Sequence, residues 1–147
     1  LIEMEPASLA SDRVKEHSPE SANATIDRKS IENVERYVRS NNIEGRIKEL
    51  DKEWSVERVL ETNAGFFATC GLILGTSINK NWLFLTGTVT TFLMQHAIQG
   101  WCPPLPLFRW MGFRTRKEID REKFALKALR GDFKNIKSVK EAFEKAI

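Results

Sequence analysis

Two side chains in this sequence could react or ligate in a stretch otherwise without charge: Cys102, in Trp101-Cys102-Pro103-Pro104, and His96, one and a half helical turns earlier. A thiol beside cations is held as the thiolate, which is the form that attacks and binds metal, and Arg109, Arg114 and Arg116 follow Cys102. Cys102 is therefore a candidate reactive thiol, set against a structural thiol buried at a tight corner. His96 is a candidate axial ligand for a haem iron or a chlorin magnesium, set against a neutral imidazole bonded to Gln95, Gln99 or another helix. Two donors are too few for zinc, so no metal site is expected, and beyond a haem or chlorin on His96 no cofactor is implied.

No enzyme motif accompanies them. The sequence has no Walker loop, no dinucleotide fingerprint, no His-Glu-x-x-His and no Gly-x-Ser-x-Gly. Acidic residues in both flanks interleave with Lys and Arg, as on solvated helical faces, and nominate no catalytic cleft. The chain is read as non-enzymatic.

The elements that must position His96 and Cys102 are defined by charge. Of 147 residues, 23 are basic and 20 acidic, giving a net charge of +3 without a basic patch of the size nucleic acid requires. Mean hydropathy is -0.36, yet residues 62–79 and 81–108 contain no Asp, Glu, Lys or Arg, and Lys80 alone divides them. Such segregation predicts two membrane spans, since the 18 residues from Thr62 to Asn79 would reach roughly 27 Å as a helix. The second span starts at Trp82 and ends before Cys102-Pro103-Pro104, where proline stops a helix. With Asn79-Lys80-Asn81 as the only link, the expected fold is an all-α membrane protein: an antiparallel two-helix transmembrane hairpin, 62–101, with amphipathic cytoplasmic helices on both flanks.

Several residues follow from that expectation. Ala64, Ala68, Gly71 and Gly75 make a face of small side chains, suited to close approach of another backbone, either within the hairpin or in another chain. Thr88, Thr91, Gln95 and Gln99 make a polar stripe that should face protein. Trp54, Trp82 and Trp101 read as interfacial anchors, and basic residues on both outer sides place both termini in the cytoplasm. Cys70 would lie near mid-membrane, too far along the axis from Cys102 for a disulfide, and two unpaired thiols suit a reducing side.

Outside the hairpin, residues 1–25 lack an apolar signal core and read as a polar extended arm. Within 26–61, Ile31, Val34 and Val38, then Ile43, Ile47, Leu50 and Trp54, form helical stripes, and Ser55 is a plausible cap for a lead-in helix. In 102–147 a Pro-rich corner precedes two helices. Thr115-Arg116-Lys117-Glu118 has capping-box spacing for a helix ending at Gly131 and presenting Ile119, Leu126 and Leu129, and Ser138-Val139-Lys140-Glu141 opens another to Ile147.

The run Trp54-Ser55-Val56-Glu57-Arg58-Val59-Leu60-Glu61-Thr62-Asn63-Ala64-Gly65, together with Gln95-His96-Ala97-Ile98-Gln99-Gly100-Trp101-Cys102-Pro103-Pro104-Leu105-Pro106, resembles the YgaP-like inner-membrane transmembrane domain family. Gly112–Ile119 and Lys127–Phe133 are similar to a longer bacterial subgroup. The resemblance implies a two-helix hairpin of unassigned role, sometimes fused to a rhodanese domain. Neither flank has the length, strands or third cysteine of a rhodanese, so no sulfurtransferase activity is carried over.

These readings converge on a non-catalytic accessory or scaffolding subunit in a bacterial inner membrane, packed against a larger respiratory or photosynthetic assembly. The expected partners are the lipid bilayer and other membrane subunits. One alternative is a stand-alone homo-dimer, joined through Gly71-x-x-x-Gly75 and handling sulfur or thiols through Cys102. Another is a pigment- or haem-ligating subunit using His96.

Overall fold

A computed structural model describes residues 10–146, with side chains from Asp12 onward. The part of the polar-arm expectation that falls on residues 1–9 lies outside them. The described chain is helical throughout: α1 (Ala10–Glu16), α2 (Glu20–Arg39), α3 (Ile43–Lys52), α4 (Val56–Ser77), a 3-10 turn (Lys80–Trp82), α5 (Leu83–Gln99), α6 (Leu105–Trp110), α7 (Arg116–Arg130) and α8 (Val139–Ala146). Residues 10–25, expected to be extended, are thus mostly helical.

Among the described residues no helix is long and apolar enough to cross a membrane. This overturns the transmembrane hairpin, and the bilayer anchoring of Trp54, Trp82 and Trp101 and the cytoplasmic-termini topology lose their basis with it. The reason lies in where the helices begin and end. No separate lead-in helix precedes the first uncharged run, because α4 is continuous from Val56 and carries Glu57, Arg58 and Glu61 in its opening turns. The second run is longer than the helix it contains. Gly100, at φ 73°, adopts the left-handed conformation that ends α5 after 17 residues, roughly 26 Å against a hydrocarbon core of about 30 Å.

The chain forms two compact units. In the first, residues 10–23 join Trp54–Arg116. Ser55 caps α4 by accepting from the Arg58 amide, and Asn79 Oδ1 accepts from the Asn81 amide at 2.9 Å to close the tight turn. α4 and α5 then pack antiparallel. Val14, Val56, Leu60, Cys102 and Leu105 form the core, with Trp101, Phe108 and Phe113 against it. Arg109, fully buried, donates to Ser18 Oγ at 3.1 Å, Asn23 Oδ1 at 2.7 Å and the Phe113 carbonyl at 3.1 Å. Its planar fork fastens the start of the unit to the loop after α6.

In the second unit, Ala24–Glu53 joins residues 117–146. Ile47 and Leu50 of α3 meet Ile119 and Leu126 of α7, with Val34, Tyr37 and Ile43 packed against them. Of the expected stripes, Ile31, Val38 and Leu129 remain exposed. Charged residues take part of the interior instead. Glu122 is buried and accepts from Arg46 Nε at 2.8 Å, while Lys123 meets Asp51 at 2.6 Å, so α7 is not the solvated charged face that its alternating signs suggest. At Ser138 half of the expected capping box forms: Ser138 Oγ accepts from the Glu141 amide at 3.2 Å, while the Glu141 carboxylate accepts from the Lys137 amide at 3.2 Å instead of from that of Ser138.

Candidate functional site

His96 and Cys102 come together in the first unit. Both are buried, at 7% and 3% exposure, and both line a cavity of about 180 Å³ between α4, α5 and the Pro-rich corner. Leu60, Phe67, Phe92, Leu93 and Phe108 supply most of its apolar wall, and Asn63 is its other polar lining residue. Two local features position them. Gly100 turns the chain sharply enough to bring Cys102 back beside α5, and the Cys102 carbonyl accepts from the Leu105 amide at 3.0 Å as α6 begins.

Electrostatics at these residues depart from the sequence expectation. Burial pushes the Cys102 thiol above its ordinary pKa, and a backbone hydrogen bond only partly offsets this, so the thiol is not activated by its downstream arginines. Burial likewise holds the His96 imidazole below its ordinary value, against the opposing pull of Glu57 and Glu61. Among the described residues, His96 Nδ1 is buried with no hydrogen-bond partner. Gln95 and Gln99, the alternative partners expected for a neutral imidazole, bond weakly to each other at 3.3 Å. At about 180 Å³ the cavity is too small to enclose the four linked rings of a tetrapyrrole. Among the described residues no group of three His, Cys, Asp or Glu could hold a metal ion, and Cys70 and Cys102 are free thiols.

The small-residue face is accounted for within the chain. Gly71 and Gly75 are buried against α5, where an added Cβ at Gly71 would stand 2.5 Å from Thr86 Oγ1 and one at Gly75 would stand 2.6 Å from Leu83 Cδ2. Ala64 and Ala68 are half-buried on the same side. Thr86 carries the one described hydrogen bond between these helices, from its Oγ1 to the Ala68 carbonyl at 2.9 Å. Sequence reading missed it because Thr86 lies off the stripe of Thr88, Thr91, Gln95 and Gln99. In that stripe Thr88, Thr91 and Gln99 are exposed and Gln95 is half-buried, and Thr91 Oγ1 satisfies itself on the Gly87 carbonyl at 2.7 Å.

Both helices of the pair expose large apolar side chains. Phe66, Leu72 and Ile73 on α4, Ile78 at its end, and Phe84, Met94 and Ile98 on α5 are all exposed. Phe84, Thr88, Thr91, Gln95 and Ile98 follow helical spacing, so the polar stripe is bracketed by two apolar side chains on one face. Trp82 is exposed at the turn, Trp54 is covered on one side by the Arg58 guanidinium 4.2 Å above its ring, and Trp101 packs on the core. Comparison with protein-family models, with curated proteins and with solved structures gives no match.

Proposed function

We propose that the chain is a non-catalytic accessory or scaffolding subunit of a larger protein assembly, joined to it through exposed apolar side chains of α4 and α5. The observation that carries this reading is the exposure of Phe66 (63%), Ile78 (73%) and Phe84 (78%) beside other large apolar side chains. Large apolar side chains left in water in this number mark an interaction surface, because leaving them there forgoes roughly 25 cal/mol per Å². Thr88 and Thr91 between the apolar side chains offer hydroxyls for orienting a partner. The Gly71-x-x-x-Gly75 face is covered by α5, which supports neither a glycine-mediated homo-dimer nor a glycine-mediated subunit contact. A raised thiol pKa gives Cys102 no support as a nucleophile, and the YgaP-like resemblance, to a family of unassigned role, adds no activity.

The native mass of the species containing this chain in gentle extracts of its own cells tests the reading. Wild-type chain should run at several times its 16.9 kDa, and the double variant Phe66→Glu, Phe84→Glu should run free while keeping its helical circular dichroism. Wild-type chain running at one or two copies would refute the accessory role; unchanged mass for the double variant would refute the assignment of these side chains.

A further inference from the structure

We propose that the cavity beside His96 is a binding site for a small, neutral, single-ring molecule carrying one hydroxyl, a phenol-like ligand, held by apolar contact with its hydroxyl hydrogen-bonded to His96. The inference is independent of the docking role of the exposed apolar side chains.

Three observations converge. The first is size: about 180 Å³ exceeds the roughly 150 Å³ at which an engineered apolar cavity takes up benzene. The second is the lining. Phe67, Phe92 and Phe108 suit an aromatic ring, and none of the lining residues carries Asp, Glu, Lys or Arg, so an ionised ligand would enter without a counter-charge. The third is an unmet polar requirement. Asn63 directs its Nδ2 to the Val59 carbonyl at 3.0 Å, whereas His96, only 7% exposed, keeps Nδ1 without a partner among the described residues. Buried polar atoms in native structures are nearly always satisfied, and an exception calls for a missing partner. A hydroxyl both donates and accepts, so it can pair with the imidazole in either tautomer.

Cys102 supplies a reporter, because it lines the same space and is otherwise shielded. Full-length protein carrying Cys70→Ser would be titrated calorimetrically with phenol and with toluene, and the rate of Cys102 alkylation by iodoacetamide followed with and without phenol. Expected are saturable one-to-one binding, slower alkylation when phenol is bound, and loss of binding in Ala64→Phe, which fills the cavity. The affinity ratio of phenol to toluene should fall about five- to tenfold in His96→Leu, the worth of one neutral hydrogen bond. Absence of saturable binding up to the solubility limit, binding that survives Ala64→Phe, or a ratio unchanged in His96→Leu would each overturn the proposal. Should Ala64→Phe not fold, the protection of Cys102 in the otherwise native lining decides the location: alkylation unaffected by bound phenol refutes it.

Discussion

Alanine substitutions at four helical glycines should move stability in opposite directions according to which side of the α4–α5 pair they occupy. In a helix interior, Gly→Ala gains about 0.8–1 kcal/mol from backbone entropy. At Gly65 and Gly87 an added Cβ meets nothing within 4 Å, so both variants should be more stable by about 0.5–1 kcal/mol. At Gly71 the Cβ would stand 2.5 Å from Thr86 Oγ1, 3.0 Å from the Thr86 amide nitrogen and 3.1 Å from the Trp82 carbonyl oxygen. Two of those atoms are backbone, so the helices must separate. Overpacking costs about 1–3 kcal/mol, and displacing Thr86 breaks its bond to Ala68, worth about 1 kcal/mol more. Set against the helical gain, Gly71→Ala should lose about 1–3 kcal/mol. Gly75→Ala should lose less, since its two closest neighbours are side-chain atoms of the exposed Leu83, which can swing away, and the single backbone atom against it, the Leu83 nitrogen, stands at 3.2 Å. Urea unfolding followed by far-ultraviolet circular dichroism, with m compared across variants, reads all four. A Gly71→Ala protein as stable as wild type would show that α5 does not lie against this face.

Two further outcomes test the buried polar groups. Because the folded-state pKa of His96 lies below its ordinary value, the unfolded chain takes up a proton first as the pH drops; stability is fully present above about pH 6.5 and is lost as the pH falls through the folded value. His96→Leu should remove that part of the slope in denaturant titrations between neutral and mildly acid pH, and identical slopes would show that His96 is not buried neutral. Arg109→Lys should cost about 1–3 kcal/mol, because one ammonium cannot span Ser18, Asn23 and the Phe113 carbonyl together. A lysine variant as stable as wild type in the same urea assay would contradict the fork.

Local signals were legible where one residue type satisfies one backbone need. Ser55 and Ser138 could be placed as caps, Gly131 at the end of α7, and Asn79 in the turn, because each depends on groups only a few residues away. Burial of charge was not legible. Glu122 and Lys123 alternate with neighbours of opposite sign as an exposed face would, and their partners Arg46 and Asp51 stand 76 and 72 residues earlier. Nor does the spacing from His96 to Cys102 reveal a shared cavity, because the left-handed Gly100 folds the corner back on itself.

The membrane expectation failed for a related reason. Freedom from charge is a property of a run of sequence, whereas crossing a bilayer is a property of the helix that contains it, and here Val56 and Gly100 set helix limits that do not coincide with the uncharged runs. The same distinction changes what the small residues mean. A stripe of Gly and Ala states that some backbone comes close without saying whose; once α5 occupies that side, Gly71 and Gly75 are spent inside the unit. What is left uncovered is the large side chains Phe66, Phe84 and Ile98 that an uncharged run would have turned toward lipid, and on the proposed reading these are what a partner would cover.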